Sequence, residues 1–424
     1  MARLHCHANS PMFRGQITLM IDRCKVSRSH QVMPSTDATT PALGRAIRHE
    51  WSLDWDYLTV NHGSFGATPN IVLAAQSEWR RRLEAQPSRF MRQVLPGALR
   101  DAASRLAAFI GGRGEDIAFV ENATTGCNAV LRSLRLRPGD EVLVLSHVYG
   151  AVRNTVRFVT ERAGARMVEA VLPFPRPHPD AIVAAIAAAI TPRTRLAVLD
   201  HITSGSALVL PLARMLDTCH EAGVPVLVDG AHGPGQVAID VTALNADWYV
   251  GNCHKWLMAP KGSGFLHARP DRQDELHPVT ISHGYGNGFL AEFDWTGTWD
   301  PSAYLAVTAA LDFHERLGGA ALMARNAAMA AEAAALVAGR LGTETGNGNE
   351  VAAAMVVVRL PVSGPATSER AKALRVHMFD AGTDVPLHAQ AGALWLRLSA
   401  QAYNEMPDYE KLAQIVGAVV ARHN

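Results

Sequence analysis

The stretch Val224-Pro225-Val226-Leu227-Val228-Asp229-Gly230-Ala231-His232 decides how this chain is read. It is an apolar, β-rich run closed by a carboxylate and followed by small residues. A second short apolar run, Trp248-Tyr249-Val250-Gly251, leads into Asn252-Cys253-His254-Lys255-Trp256. Small residues, Gly262-Ser263-Gly264, then precede another apolar run. A carboxylate therefore ends one buried strand, and a lysine stands just past the next.

Upstream, strand and helix patterns alternate. Strands are expected at Ile117–Val120, Glu141–Leu145, Arg166–Ala170 and Arg195–Asp200. Helices are expected from Thr124 to Leu134 and at Ala151–Arg162, Asp180–Ile190 and Leu210–Glu221. Such alternation predicts an α/β fold with a mostly parallel sheet covered on both faces. Ligands in these sheets bind at the carboxyl ends of the strands. The chemically interesting stretches all follow strand ends, so they converge on one crevice.

A lysine amine forms a Schiff base with an aldehyde cofactor, and a buried carboxylate keeps a pyridine nitrogen protonated. Taken singly, Asp229 and Lys255 read as a turn residue and a surface residue. Their contexts, Asp-Gly-Ala-His at a strand end and His-Lys-Trp before a glycine-rich segment, point the other way. Three further stretches join them: Val60-Asn61-His62-Gly63-Ser64-Phe65-Gly66, Glu121-Asn122-Ala123-Thr124-Thr125-Gly126 and Trp295-Thr296-Gly297-Thr298-Trp299-Asp300. Together they resemble the class V aminotransferase family of fold-type-I pyridoxal-phosphate (PLP) enzymes. Within it the likeness is to the isopenicillin N epimerase-like and cysteine desulfurase-like group. It runs from about Asp54 to the C-terminus, and it is specific for family and cofactor and much weaker for substrate.

The resemblance implies PLP as cofactor and a large PLP-binding domain over 41–300, built on a mostly parallel seven-stranded-type sheet. Part of segment 41–115 would contribute to a smaller α+β domain over 301–424. It implies that Lys255 carries the cofactor and Asp229 faces its ring nitrogen. Thr124, Thr125 and Gly126 sit at a helix N-terminus, where free N–H groups and the dipole favour a phosphate. Plain N-capping by threonine is the alternative there. Asn252 and His254 would help hold the phosphate, and Thr298 would reach the phosphate of a partner subunit in an obligate homodimer. Tyr149 would stack on the ring, with His147 second. Ser204 and His232 would lie near the phenolic oxygen; relatives often carry asparagine at the first of these positions.

Asn61 and His62 would lie at the active-site mouth, near substrate. Arg397, inside the apolar run Trp395-Leu396-Arg397-Leu398-Ser399, needs an anionic partner. The resemblance gives it the substrate α-carboxylate through a bidentate pair; an internal ion pair is the alternative. The implied chemistry is at Cα of an amino acid, with epimerisation the leading expectation. A carbon–sulfur or β-elimination lyase, an aminotransferase and a PLP-retaining binding or regulatory protein are the alternatives. No cysteine lies between Asp384 and Arg397, where Leu387-His388-Ala389-Gln390-Ala391-Gly392 stands. That argues against a desulfurase that forms a persulfide on its own thiol.

Bulk properties agree with an enzyme of this kind. The 424 residues are 48% hydrophobic and 19% charged, with a net charge of +1. That gives no electrostatic case for nucleic acid or a membrane surface. No apolar run stands out at the roughly 20 residues a span needs. Five scattered cysteines have no metal spacing, so reduced thiols and a cytoplasmic location are expected. Residues 1–40 lack periodicity and a signal-peptide pattern, and read as a poorly ordered extension.

Overall fold

A computed structural model describes residues 41–348 and 353–423. The expectation for residues 1–40 lies outside the described residues.

Seven strands form the main sheet: β1 (Ile117–Val120), β2 (Glu141–Leu145), β3 (Arg166–Ala170), β4 (Thr194–Asp200), β5 (Val226–Gly230), β6 (Trp248–Asn252) and β7 (Gly264–Ala268). Their order is β1-β7-β6-β5-β4-β2-β3. The sheet is mixed, because β7 runs antiparallel to both β1 and β6. The other pairings are parallel. The antiparallel return follows from connection length: the segment Cys253–Ser263 is too short to cross the sheet and come back in the same direction.

Side chains alternate between two apolar clusters, as strand periodicity requires. Leu143, Leu145, Leu199, Val228 and Tyr249 face one cluster. Val142, Val144, Val198, Leu227 and Val250 face the other, against the helix Ala123–Ser133. That helix starts where it does because the Asn122 side chain accepts the Thr125 N–H at 3.0 Å. The cap is thus Asn122, not a threonine. The helix Gly150–Ala163 ends at Gly164, which takes the left-handed φ of +67° that closes such a terminus.

A second sheet, β8 (Met355–Arg359), β9 (Leu387–Gln390) and β10 (Ala393–Ser399), is antiparallel in the order β8-β10-β9. It shares a core with the helices Ala320–Leu341 and Met406–His423, and with Leu58 and Val60 from the N-terminal segment. The helices Ser302–Leu305 and Val307–Arg316, directly after residue 300, pack into the large cluster instead. Helix Ala320–Leu341 is long and apolar enough by composition to cross a membrane, which the sequence reading missed. In this fold its Ala330, Ala333, Ala334 and Val337 are buried in the second core.

Asp247, ahead of β6 at the sheet end away from the strand termini that carry the motifs, is fully buried. Its oxygens accept from Arg272 Nε (2.7 Å), Arg269 Nη2 (3.1 Å), the Val226 N–H (2.8 Å) and His220 Nε2 (3.0 Å). Asp247→Ala would strand a buried N–H and remove the anion from three basic groups. We expect a loss of about 3 kcal/mol in unfolding free energy, read as a lower urea midpoint at unchanged slope.

Candidate active site

The carboxyl ends of β1, β2, β4, β5 and β6 open on one cavity of about 530 Å³. Its wall includes Thr124, Thr125, Tyr149, Ser204, Asp229, His232, Asn252, His254 and Lys255. Nine of the residues named from the sequence therefore meet in one place.

Lys255 sits in the loop between β6 and β7. The loop is closed by hydrogen bonds from the N–H groups of Cys253 and His254 to the Ser263 carbonyl, at 3.0 and 3.2 Å. The Lys255 Nζ lies 3.2 Å from His232 Nε2. His232 Nδ1 accepts from the Trp256 indole at 3.4 Å, so its proton belongs on Nε2, facing the lysine. Burial, then the Lys255 charge, holds the His232 pKa well below the usual imidazole range. The ring is neutral at neutral pH.

Burial, then the Arg397 charge, brings the Lys255 ammonium down to about 7, against a smaller opposing effect from Asp229. The unfolded chain binds this proton up to about 10.5 while the folded chain has lost it. Stability therefore rises with pH between these values and carries the full penalty below about 7. In cofactor-free protein, reductive methylation of Lys255 should show a midpoint near pH 7. Mass spectrometry of the peptide should separate it from lysines that titrate near 10.5.

Asp229 is buried, and one of its oxygens accepts the Ala231 N–H at 3.0 Å. Burial raises its pKa, while that hydrogen bond and Lys255 oppose the rise. Asn252 accepts the Ala123 N–H at 2.8 Å through Oδ1, which ties the end of β6 to the helix terminus. Its amide nitrogen is left as the donor. His254 Nδ1 lies 3.0 Å from the Ser263 carbonyl and so carries the proton. Nε2 of that ring is the acceptor until it is protonated, and burial brings its pKa down to about 4.

Four expectations place differently. Gly126 is not on the cavity wall: a Cβ there would sit 2.8 Å from Val250 Cγ1, so the glycine lets the helix pack on β6. His62 is buried and does not line the cavity. Its Nε2 lies 3.0 Å from the Lys255 carbonyl, and its Nδ1 lies 2.9 Å from the Tyr403 hydroxyl. It clamps the lysine's main chain from behind.

Asn61 is also off the wall. Its oxygen accepts from Arg397 Nη2 at 3.2 Å, and its amide donates to Asp384 at 2.7 Å. Arg397 itself lies behind Ser64 and Ser204, which line the cavity. Its remaining bonds go to the Ser204 carbonyl at 2.6 Å, the Ser204 hydroxyl at 3.4 Å and the Ser64 hydroxyl at 3.0 Å. Thr298 is exposed and does not line the cavity of its own chain.

Of the two ring candidates, Tyr149 lines the cavity. His147 is turned to Ser206 Oγ at 2.7 Å and packs edge-on to Phe174. Sequence reasoning missed Ser64, Phe65, Ile202 and Asp200 on the wall. For Asp200 a signal existed: Leu196-Ala197-Val198-Leu199-Asp200 repeats the form of Val226-Leu227-Val228-Asp229.

The residues fit PLP. A neutralisable amine and a buried carboxylate share one cavity, with two threonines at a helix N-terminus beside them. Arg397 is 3% exposed and has no carboxylate partner among the described residues, and its Nε has no hydrogen-bond partner at all. Burial, then the Arg375 charge, brings its pKa down to about 10. An uncompensated buried guanidinium calls for an arriving anion.

Comparison with known proteins agrees. The chain is 36% identical over 399 residues to a protein of Oryza sativa subsp. japonica provisionally named L-cysteine desulfhydrase 1, covering 85% of this chain and 83% of that one. It is 32% identical over 385 residues to isopenicillin N epimerase of Streptomyces clavuligerus, covering 87% and 96%. The solved structure of the cystine C–S lyase C-DES with cysteine persulfide superposes with a TM-score of 0.74 at 22% identity, over 86% of this chain and 98% of that one, which supports the fold. The family model for aminotransferase class-V matches residues 66–406, spanning every strand-end motif in the cavity wall. By fold, site and sequence, this chain belongs to the aminotransferase class-V family.

Proposed function

We propose that this protein is a PLP-dependent carbon–sulfur lyase that converts L-cysteine, or a close thiol amino acid, by β-elimination. The observation that carries this reading is the 36% identity over 85% of the chain to a relative named as an L-cysteine desulfhydrase. The lyase alternative thus has more support than the epimerisation the sequence reading led with. Epimerisation is the second reading, favoured by the 32% identity to isopenicillin N epimerase.

When bound, PLP supplies an aldehyde for the substrate amine and an electron-accepting ring that stabilises negative charge at Cα. The chain's residues do the rest. Lys255, with its amine near pH 7, takes the Cα proton. Asp229 holds negative charge at the ring nitrogen. Arg397 turns its guanidinium to the substrate carboxylate, steered by Asn61 and Ser64. His232 points its Nε2–H at the lysine and, by this proposal, at the ring oxygen, with Ser204 beside it. Tyr149 would cover the ring face, and Thr124, Thr125, Asn252 and His254 would hold the phosphate.

The loop before Arg397 forms β9, with His388 and Gln390 and no thiol. Sulfur would therefore leave as sulfide, not as a protein persulfide. A homodimer completes the proposal: exposed Thr298 suits contact with the phosphate of a second copy, and exposed Phe65 at the cavity wall offers apolar surface for that copy to cover. Sedimentation of cofactor-loaded protein at a single-chain mass, 45.6 kDa, would sink that part. Cytoplasmic placement is proposed on Cys127, Cys219 and Cys253, which are free and buried among the described residues.

The test uses purified, PLP-loaded protein with L-cysteine in deuterated water. Equal amounts of sulfide, ammonia and pyruvate are expected. Deuterium at Cα with inversion and no sulfide would instead establish the epimerase.

A further inference from the structure

Asp200 closes β4 as Asp229 closes β5, and the parallel register sets the two directly opposite each other. Two residues earlier, Val198 and Leu227 face the cluster under the helix Ala123–Ser133, so both carboxylates project to that same face. Both are buried, at 2% and 4% exposure, and both line the cavity. Asp229 spends one oxygen on the Ala231 N–H, whereas Asp200 Oδ2 has no hydrogen-bond partner. Neighbouring strands lie about 4.8 Å apart. At that separation, away from water, two carboxylates do not both ionise at low cost.

We propose that Asp200 is a positioning residue that shares a single proton with Asp229, so that the two strand ends together present one negative charge to the ring nitrogen of PLP. The inference rests on the cofactor reading above. It deepens it by assigning a second acid that sets the ionisation of the first.

The surroundings leave the pair to itself. From the covering helix comes Cys127, whose thiol is pushed well up by burial and by both acids. Arg153, on the helix Gly150–Ala163, is committed to Glu169 and the Ser146 carbonyl. Tyr249 on β6 is bound to His201, at 2.9 Å from its hydroxyl. Lys255 is the remaining cation near the pair, and it opposes the rise in Asp229. Burial raises both acids, and Asp200 rises further because Asp229 is charged beside it.

A raised acid costs stability as pH climbs from the unfolded value, near 4, through the folded one. Thermal unfolding of cofactor-free wild type, Asp200→Asn, Asp229→Asn and the double variant at pH 4.5 and 8 reads this directly. Each single variant should raise Tm by about 2–4 °C at pH 8 relative to its effect at pH 4.5. The double variant should add little more, because either change relieves the same repulsion. Additive shifts, or a pH dependence left as in the wild type by both singles, would overturn the shared proton. If Asp200→Asn does not fold, Asp229→Asn alone must flatten the pH profile, or the proposal fails. Adding PLP keeps the two readings apart. A visible band in Asp200→Asn supports the cofactor reading. A colourless wild type whose unfolding still shows non-additivity overturns the charge presented to PLP.

Discussion

Lys255→Ala is expected to lower turnover by at least about 10³-fold and to leave PLP-treated protein without a visible absorption band. Two losses combine. The cavity loses its covalent tether, and it loses the base, which alone contributes on the order of 10²–10⁴-fold. The rest of the wall remains, because His232 is held by Trp256 and Asn252 by Ala123. A small amine such as methylamine should therefore restore part of the rate by filling the vacated space. Cofactor-free Lys255→Ala should also be more stable than wild type below about pH 7, where the folded protein must bury a charged ammonium. A coloured, active Lys255→Ala protein would end the assignment.

Arg397→Met is expected to reduce kcat/KM by about 10²–10³-fold, mainly through KM. A buried, charge-assisted bidentate contact is worth roughly 3–4 kcal/mol, and each 1.4 kcal/mol is tenfold. Arg397→Lys should recover little, since a point charge cannot reproduce the planar fork. The same substitution makes an opposite forecast for the empty protein. Among the described residues the guanidinium is bound by the Asn61, Ser64 and Ser204 side chains and the Ser204 carbonyl, with no carboxylate and with Nε unpaired. Removing it should cost less than about 1 kcal/mol of stability, or raise it. Had Arg397 been a structural ion pair, as the sequence left open, its removal would unfold the protein before it affected KM. Urea denaturation beside initial-rate kinetics separates the two.

The strand-end positions of Asp229 and Lys255 were legible because burial forces apolar runs and chemistry interrupts them. Strand period also placed Thr124, Tyr149 and Ser204 at one rim. What a linear reading cannot give is the direction of a side chain. Asn61 and His62 sit in the right loop, yet one turns to Arg397 and the other to the lysine's carbonyl. Gly126 was read with the threonines for the free N–H groups of a helix N-terminus, and its missing side chain makes room for Val250. Asp200 was passed over because opposition to Asp229 exists only through register, which depends on how two strands slide against each other. β7 was read as an apolar run, but its antiparallel direction and the short β9 were missed for a related reason: pairing partners come from tertiary packing. β9 does alternate apolar and polar residues, but its four residues are too few for the period to decide.

The segment around residues 58–66 reaches both halves of the chemistry. Leu58 and Val60 are embedded with β10, Asn61 grips Arg397, and His62 grips the backbone of Lys255. Gly66 lies so close to His254 that an added Cβ would collide with its carbonyl at 1.9 Å. Arg397 and the main chain of Lys255 are thereby held by adjacent residues of one segment, so the guanidinium and the amine take their positions from a common support.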